Sequence, residues 1–160
     1  MRIHTLTLLA TAASAMLFAS LAQASDTEAV FRVPNPKWKA ECGSCHIAYP
    51  VRLLPAESWR AIMAGLDKHF GSDASLDAAT ATEITAFLEK NANASRSKIE
   101  PATKPQLRIT ETSWFKREHD EVSAATWKNP QVKSAANCGA CHTLADRGEF
   151  NEHGLRIPKT

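Results

Sequence analysis

Hydrophobic residues between positions 55 and 71 recur with helical spacing, which predicts an amphipathic helix in this stretch. The helix is expected to begin near Pro55, and its apolar residues lie at i, i+3, i+4 and i+7: Trp59, Ile62, Met63 and Leu66. His69 continues the same stripe at the next i+3 position, and Gly71 is expected to end it. The imidazole of His69 is therefore predicted to lie over the apolar face of this helix.

Two further helices are predicted in the first half of the chain from their cap residues. A short helix over residues 37–42 has Asn35 as its candidate cap. A longer helix runs from a cap at Ser75 or Asp77 to about Asn91. Its apolar residues fall on one side, which is the pattern of a helix packed against a core: Ile84, Phe87 and Leu88.

The second half of the chain begins after a polar stretch, residues 91–105, that is rich in Asn, Ala, Ser, Lys and Pro and has linker composition. Beyond it, Thr112 or Ser113 can cap a helix that carries Trp114, Phe115, His119 and Val122. The tail from residue 148 is expected to be loose. Since no convincing pair of strands appears, the predicted fold is mainly α with extensive loop, in two small lobes: residues 25–95 and residues 96–160.

The first 24 residues have the pattern of a secretory signal peptide. Arg2 gives a positive start, residues 6–21 form an uncharged and largely apolar run, and the small residues 22–24 fit a cleavage site before Ser25. An uncleaved membrane anchor is the alternative, but polar residues interrupt the run and it is shorter than the roughly 20 residues that span a bilayer. We therefore expect an exported, soluble protein in the periplasm, with a peripheral association with the membrane left open.

Length and composition exclude some classes of function. A chain of 160 residues excludes a large multidomain enzyme, and 19 basic against 17 acidic residues give no indication of nucleic-acid binding. Six Phe, four Trp and one Tyr are few large side chains for a core of this length. Another apolar group is therefore expected to fill part of the interior, and the chain without that group is predicted to be unfolded or molten.

All four cysteines fall in two C-x-x-C-H pentapeptides, residues 42–46 and 138–142, which is the attachment motif of c-type haem. On one turn of helix, residues i, i+3 and i+4 share a face, so two thiols can join one porphyrin while the adjacent imidazole reaches its iron. The motifs predict two covalently bound haem c groups. The residues assigned to them are Cys42, Cys45 and His46 for the first haem and Cys138, Cys141 and His142 for the second.

Three other uses of paired cysteines compete with haem: a structural zinc site, a thioredoxin-like dithiol and ordinary disulfides. Zinc ribbons place their two halves some 15–20 residues apart, whereas Cys42 and Cys138 are separated by 96 positions. A catalytic dithiol would require a βαβ setting, which the pattern lacks. Two copies of the motif, each followed by His and both behind an export signal, favour haem.

Each haem iron has a second axial position, and its occupant decides between electron transfer and substrate chemistry. We predict His69 and His119 as these distal ligands, since 23 positions separate His46 from His69 and also His119 from His142. The rivals are Met63 for the first haem and His153 in the tail for the second. Pairing within each half is the simplest arrangement, and a crossed arrangement stays open.

The sequence resembles those of the periplasmic dihaem cytochromes c, which carry one haem in each of two small lobes. The resemblance lies in several short segments and in their order and spacing. The similarity covers most of residues 34–150, including the segments ECGSCHIAYP, LLPAESW, RITETSWF and AANCGACHTLA. The resemblance implies bis-histidine ligation of both haems and a role as an electron donor. The redox partners it implies are a small oxygen-binding monohaem cytochrome c and a membrane b-type cytochrome.

We therefore expect an electron-transfer protein rather than an enzyme. With imidazole on both faces of each iron, no coordination position remains open for peroxide, nitrite or oxygen. The alternative is a small haem enzyme or gas-binding protein, of the peroxidase or reductase type, with one open iron site. A module that binds a metal or forms disulfides without haem is a third class, and it predicts a colourless protein.

Overall fold

The computed structural model describes residues 35–94 and 104–159, and its regular structure is helical. Within these residues there are five α-helices: α1 (Pro36–Cys42), α2 (Ala56–Met63), α3 (Ala78–Asn91), α4 (Ser113–Glu118) and α5 (Ala124–Lys128). Short 3-10 helices lie between and after them: Val51–Leu53, Leu66–Lys68, Ile109–Glu111, Cys138–Ala140, Ala145–Arg147 and Glu152–Gly154. Extended pairing in the described residues is limited to two isolated bridges. The predicted mainly α fold with extensive loop is confirmed.

The core of the first half forms where α2 packs on α3 and α1 covers them. Its members are buried apolar side chains: Trp38, Val51, Leu54, Trp59, Ile84 and Leu88. The indole nitrogen of Trp59 donates to the carbonyl oxygen of Val51 over 2.7 Å, so the polar atom of this ring is satisfied inside the core. Ion pairs tie the helix surfaces together, Lys37 with Glu83 and Arg60 with Glu89.

Side-chain caps begin these helices where the sequence predicts them. The Asn35 side chain accepts a hydrogen bond from the backbone N–H of Trp38 over 2.9 Å, and α1 begins at the next residue. The Asp77 carboxylate accepts from the backbone N–H groups of Ala79 and Thr80, each over 3.0 Å, and begins α3. Both caps satisfy donors that a helix start leaves unpaired.

The helix α2 ends earlier than the apolar stripe predicts. It stops at Met63, and the chain continues through Gly65 into the 3-10 helix Leu66–Lys68. Glycine is a poor residue for the interior of a helix, which accounts for the interruption. The prediction that one helix extends to Gly71 is therefore wrong, and His69 lies in a turn after the 3-10 helix. Similarly, α4 ends at Glu118, one residue before His119.

The tail beyond residue 148 is held against the second C-x-x-C-H motif, and the prediction of a loose tail is wrong. The N–H of Thr143 donates to the carbonyl of Gly154 over 2.9 Å, and the N–H of Arg156 donates to the carbonyl of Cys141 over 2.7 Å. Gly154 is buried, and an added Cβ there would contact the Leu144 side chain. Backbone hydrogen bonds of this kind do not depend on side-chain type, so the local composition does not predict them.

The two halves of the chain contact one another. Ile109 packs on the core of the first half, and the guanidinium of Arg108 lies 4.2 Å from the centre of the Phe70 ring. The predicted signal peptide and the predicted boundary between lobes at residues 95 and 96 lie outside the described residues, so both stay predictions. Across the two described ranges, every helix is too short or too polar to span a bilayer.

Candidate functional site

The first C-x-x-C-H motif lies where α1 ends. Cys42 is the last helical residue, and the N–H of Gly43 donates to the carbonyl of Lys39 over 3.0 Å. A Cβ added at Gly43 would collide with that same carbonyl oxygen, so the close approach requires glycine. The chain then turns, and it leaves Cys45 and His46 exposed.

The second motif forms a single tight turn in the loop after α5. Cys138 begins a 3-10 helix, and the N–H groups of Cys141 and His142 both donate to its carbonyl oxygen, over 3.2 and 2.8 Å. These bonds close a compact turn that keeps both cysteines and the histidine within one short segment. Gly139 has open space around it, unlike Gly43 in the first motif. The two C-x-x-C-H motifs thus differ in local structure: the first follows the end of an α-helix, and the second begins with a 3-10 helix in a loop.

The first pair of imidazoles consists of His46 and His69. Their ring centroids lie 6.2 Å apart, and the planes make an angle of 26°. The 3-10 helix and the turn after α2 carry His69 to this position. The structure therefore brings together the two histidines assigned to the first haem.

The second pair consists of His119 and His142, whose ring centroids are also 6.2 Å apart, at an angle of 78°. His119 follows the last residue of α4 and stacks on Phe115, with centroids 4.1 Å apart and an angle of 17°. A cavity of about 280 Å³ lies beside it, and His119 and five other residues line it: Thr110, Phe115, Lys116, Trp127 and Ala135. This pair also lies within one half of the chain.

Both imidazole pairs have the spacing that one iron between two rings would require. Two metal–nitrogen bonds of about 2 Å, with the ring radius added at each end, place the centroids roughly 6 Å apart. Such a pair can rotate about the line through the metal without changing this distance, so angles of 26° and 78° are both compatible with ligation. The residues present therefore fit two six-coordinate haem groups.

Hydrogen bonds orient two of the four imidazoles, and burial lowers the pKa of the other two. The Nδ1 atoms of His46 and His119 contact backbone carbonyl oxygens, of Ile47 over 2.7 Å and of Phe115 over 2.9 Å. With Nδ1 donating to these carbonyls, Nε2 is left free to bind iron. The pKa of His69 is lowered by burial and by His46, and the pKa of His142 is lowered by burial and by His119. Metal ligation needs the neutral ring that these shifts favour.

No disulfide joins any two of the four cysteines. Burial raises the pKa of Cys42 to about 11, with a further contribution from Glu41, and burial raises the pKa of Cys138 to about 11. A catalytic dithiol has a lowered thiol pKa, so these values argue against that use. Residues 35–94 and 104–159 also contain no group of three or more His, Cys, Asp or Glu placed to hold a metal ion, as a zinc site would require.

The two rival ligands are not members of these imidazole pairs. Met63 is partly buried and packs against the core of the first half, as a structural methionine does. His153 is exposed in the 3-10 helix Glu152–Gly154, and its carbonyl oxygen accepts a hydrogen bond from Arg156 over 3.2 Å. Neither residue shares the close ring pairs described above.

Each paired imidazole also has an aromatic neighbour, and three of these neighbours are not predicted from the sequence. The ring centroids of His46 and Tyr49 lie 4.6 Å apart, those of His69 and Phe70 4.9 Å, and those of His142 and Phe150 5.3 Å. Tyr49 follows its histidine by three residues and Phe70 follows directly, so proximity to the candidate ligands was the available signal. Phe150 lies eight positions after His142, beyond the range of one turn, and the path of the chain between them brings the two rings together.

Comparison with known proteins agrees with this site. A family model described as dihaem cytochrome c matches residues 38–150. A diheme cytochrome c from Rhodobacter sphaeroides is 47% identical, with a TM-score of 0.68, over 75% of this chain and 99% of that one. DHC purified from the same organism is 48% identical, with a TM-score of 0.64, over 74% and 98%.

A third solved structure, the diheme cytochrome type c from Shewanella baltica OS155, is 43% identical with a TM-score of 0.67, over 79% of this chain and 95% of that one. Among curated proteins, none matches the chain. As a cytochrome c, the protein exchanges electrons with redox partners. The chain belongs to the dihaem cytochrome c family, and it is a haem-based electron-transfer protein with two covalently attached haem c groups.

Proposed function

We propose that both haems are closed on each face by imidazole and that the protein shuttles single electrons without catalysing a reaction. In this proposal Cys42 and Cys45 anchor the first haem and Cys138 and Cys141 the second. The axial ligands are four histidines: His46 with His69, and His142 with His119. The observation that carries the proposal is the common centroid distance of 6.2 Å in the two imidazole pairs.

When bound, each haem supplies an iron that changes by one electron between its ferric and ferrous states. The chain contributes the surroundings that let this happen without a change of ligand. The aromatic contacts of His46, His119 and His142 restrict rotation of the axial rings. Because imidazole is a stronger donor than thioether, both reduction potentials are expected to lie below those of His/Met cytochromes.

The proposed location is the periplasm, after removal of residues 1–24. The proposed partners are a small oxygen-binding monohaem cytochrome c and a membrane b-type cytochrome, as in the family that the chain resembles. Intact mass of the exported protein tests the first part. A chain that begins at Ser25 and carries the mass of two haems is the expected result, and a retained leader would contradict it.

Carbon monoxide and low-temperature electron paramagnetic resonance of the holoprotein test the ligation. The oxidised wild type is expected to show two low-spin ferric signals, and the reduced wild type is expected to bind no carbon monoxide. His69→Ala and His119→Ala should each remove one low-spin signal and open one site to carbon monoxide, because the distal position loses its imidazole.

The rival ligands provide matched controls. Met63→Leu and His153→Ala are expected to retain both signals and to bind no carbon monoxide. Loss of a signal in either control, or no change in His69→Ala and His119→Ala, would refute the assignment. Rapid stoichiometric binding of carbon monoxide to the wild type would instead favour the haem enzyme or gas-binding alternative.

A further inference from the structure

We infer that Tyr49 is a positioning residue that clasps the two haem sites together and thereby sets the rate of electron exchange between them. The inference rests on the proposed function, since it takes His46 as an axial ligand of one haem and Cys138 as an anchor of the other. Tyr49 is the single tyrosine in the chain. Its ring contacts the first site and its hydroxyl contacts the backbone of the second.

The ring of Tyr49 lies against the imidazole of His46. The two centroids are 4.6 Å apart and the planes differ by 22°, which is a stacked arrangement. The carbonyl oxygen of Ile47 also orients this imidazole, through a contact with its Nδ1 atom. Movement of the Tyr49 ring would therefore displace the proposed axial ligand of the first haem.

The hydroxyl of Tyr49 reaches across to the second motif. It donates to the carbonyl oxygen of Ala136 over 2.8 Å, between residues 87 positions apart in the chain. The sulfur of Cys138 lies 3.7 Å from the same oxygen. The phenol hydroxyl and the sulfur of Cys138 thus both contact one backbone carbonyl oxygen. A short series of contacts therefore connects the two haem sites: it runs from the His46 imidazole through the phenol ring and its hydrogen bond to Ala136 and Cys138.

The hydroxyl remains a donor over the physiological range. The ordinary pKa of a tyrosine hydroxyl, about 10, already lies well above that range. In the exchange step, one electron leaves the ferrous haem and arrives at the ferric haem. Tyr49 is neither oxidised nor deprotonated, and no further reactant is consumed. Its contribution is to hold the two motifs at a constant separation.

The test measures intramolecular electron exchange in the half-reduced holoprotein, by temperature jump or by NMR exchange broadening. Tyr49→Phe keeps the stacked ring and removes the hydrogen bond. Exchange is expected to slow, because loss of one net hydrogen bond makes the arrangement without this contact about fivefold more populated relative to the closed one. Tyr49→Leu also removes the stack and is expected to slow exchange further.

Thr143→Val is the matched control. Its hydroxyl donates to the carbonyl of Gly154 over 2.9 Å within the second half, so the variant also loses one bond to the backbone but leaves the clasp intact. Exchange at the wild-type rate is expected. Unchanged exchange in Tyr49→Phe, or equal slowing in Tyr49→Phe and Thr143→Val, would overturn the inference.

Two measurements keep this result separate from the proposed function. Paramagnetic resonance of each variant reports whether both low-spin signals persist; their absence in the wild type would defeat the ligation proposal while exchange between the haems still decides the role of Tyr49. Second, NMR of the wild type should show contacts between the Tyr49 ring and Ala136. Their absence would overturn the clasp without any substitution.

Discussion

At the scale of single residues, the two imidazole pairs share one distance and differ in orientation. His46 and His69 are nearly parallel at 26°, whereas His119 and His142 are nearly perpendicular at 78°. The neighbours that accompany these rings also differ, with Tyr49 stacked on the first motif histidine and Phe150 tilted against the second. Under the proposed ligation, the two haems would therefore have the same kinds of ligand in different orientations.

This difference predicts two distinct ferric signals for the proposed ligation. Parallel imidazole planes separate the energies of the two π-type d orbitals of low-spin iron, whereas perpendicular planes leave them nearly equal. We expect an ordinary rhombic signal from the first haem and a more anisotropic signal, with a larger maximal g value, from the second. Low-temperature paramagnetic resonance checks this.

The distal variants assign the two signals. His119→Ala should remove the more anisotropic signal and leave the rhombic one, and His69→Ala should do the reverse. Two rhombic signals that cannot be told apart in the wild type would show that the ring planes do not keep the angles of 26° and 78° once haem is bound.

At the scale of elements, local signals predicted where helices begin better than where they end. Asn35 and Asp77 cap α1 and α3 as predicted, since a cap depends on residues within one turn. The ends of α2 and α4 came earlier than the apolar stripes suggested, and α5 had no prediction. The apolar stripe that His69 is predicted to continue is therefore interrupted after Met63, and His69 lies beside His46 through a turn instead.

The two motifs give an element-scale prediction with a built-in control. Gly43→Ala would drive a Cβ into the carbonyl oxygen of Lys39 in α1, so the end of the helix must shift. We expect it to lower the free energy of unfolding of the holoprotein by about 1–3 kcal/mol, as other forced contacts do.

The equivalent change in the second motif should be tolerated. Gly139→Ala places its methyl group in open space, and its unfolding is expected to match the wild type. Chemical denaturation of both holoproteins, followed by far-UV circular dichroism, measures the difference. Equal destabilisation of the two variants would contradict the steric account.

At the scale of the whole molecule, the apolar core is unevenly shared between the two halves. Residues 35–94 bury seven hydrophobic side chains: Trp38, Val51, Leu53, Leu54, Trp59, Ile84 and Leu88. Within residues 104–159 the buried hydrophobic residues are three, namely Phe115, Val132 and Ala145. Since burial of apolar surface is the main favourable contribution to folding, we expect the second half to depend more on its porphyrin.

Loss of one haem at a time should expose this asymmetry. A Cys138→Ala and Cys141→Ala double variant is expected to lose amide protection throughout residues 104–159, because too little apolar surface remains to offset chain entropy. The matching Cys42→Ala and Cys45→Ala variant should keep measurable protection in α2 and α3. Hydrogen exchange followed by mass spectrometry of the two proteins provides the comparison.

The opposite result has a clear form. Equal protection of the second half with and without its haem would show that the three buried side chains suffice to fold it. A cooperative, native-like thermal transition of the chain without either haem would also contradict the expectation that the porphyrins complete the core.

The sequence by itself determined the chemistry: two C-x-x-C-H pentapeptides, the supply of further histidines and the helix caps are all set by residues within a few positions of one another. The tertiary structure decided which groups meet beyond the range of local sequence patterns. It brought His69 to His46 through a turn, Phe150 to His142, the tail to Cys141, and the Tyr49 hydroxyl to Ala136. Ring angles and long-range hydrogen bonds depend on the packing of whole elements, and no local pattern encodes them.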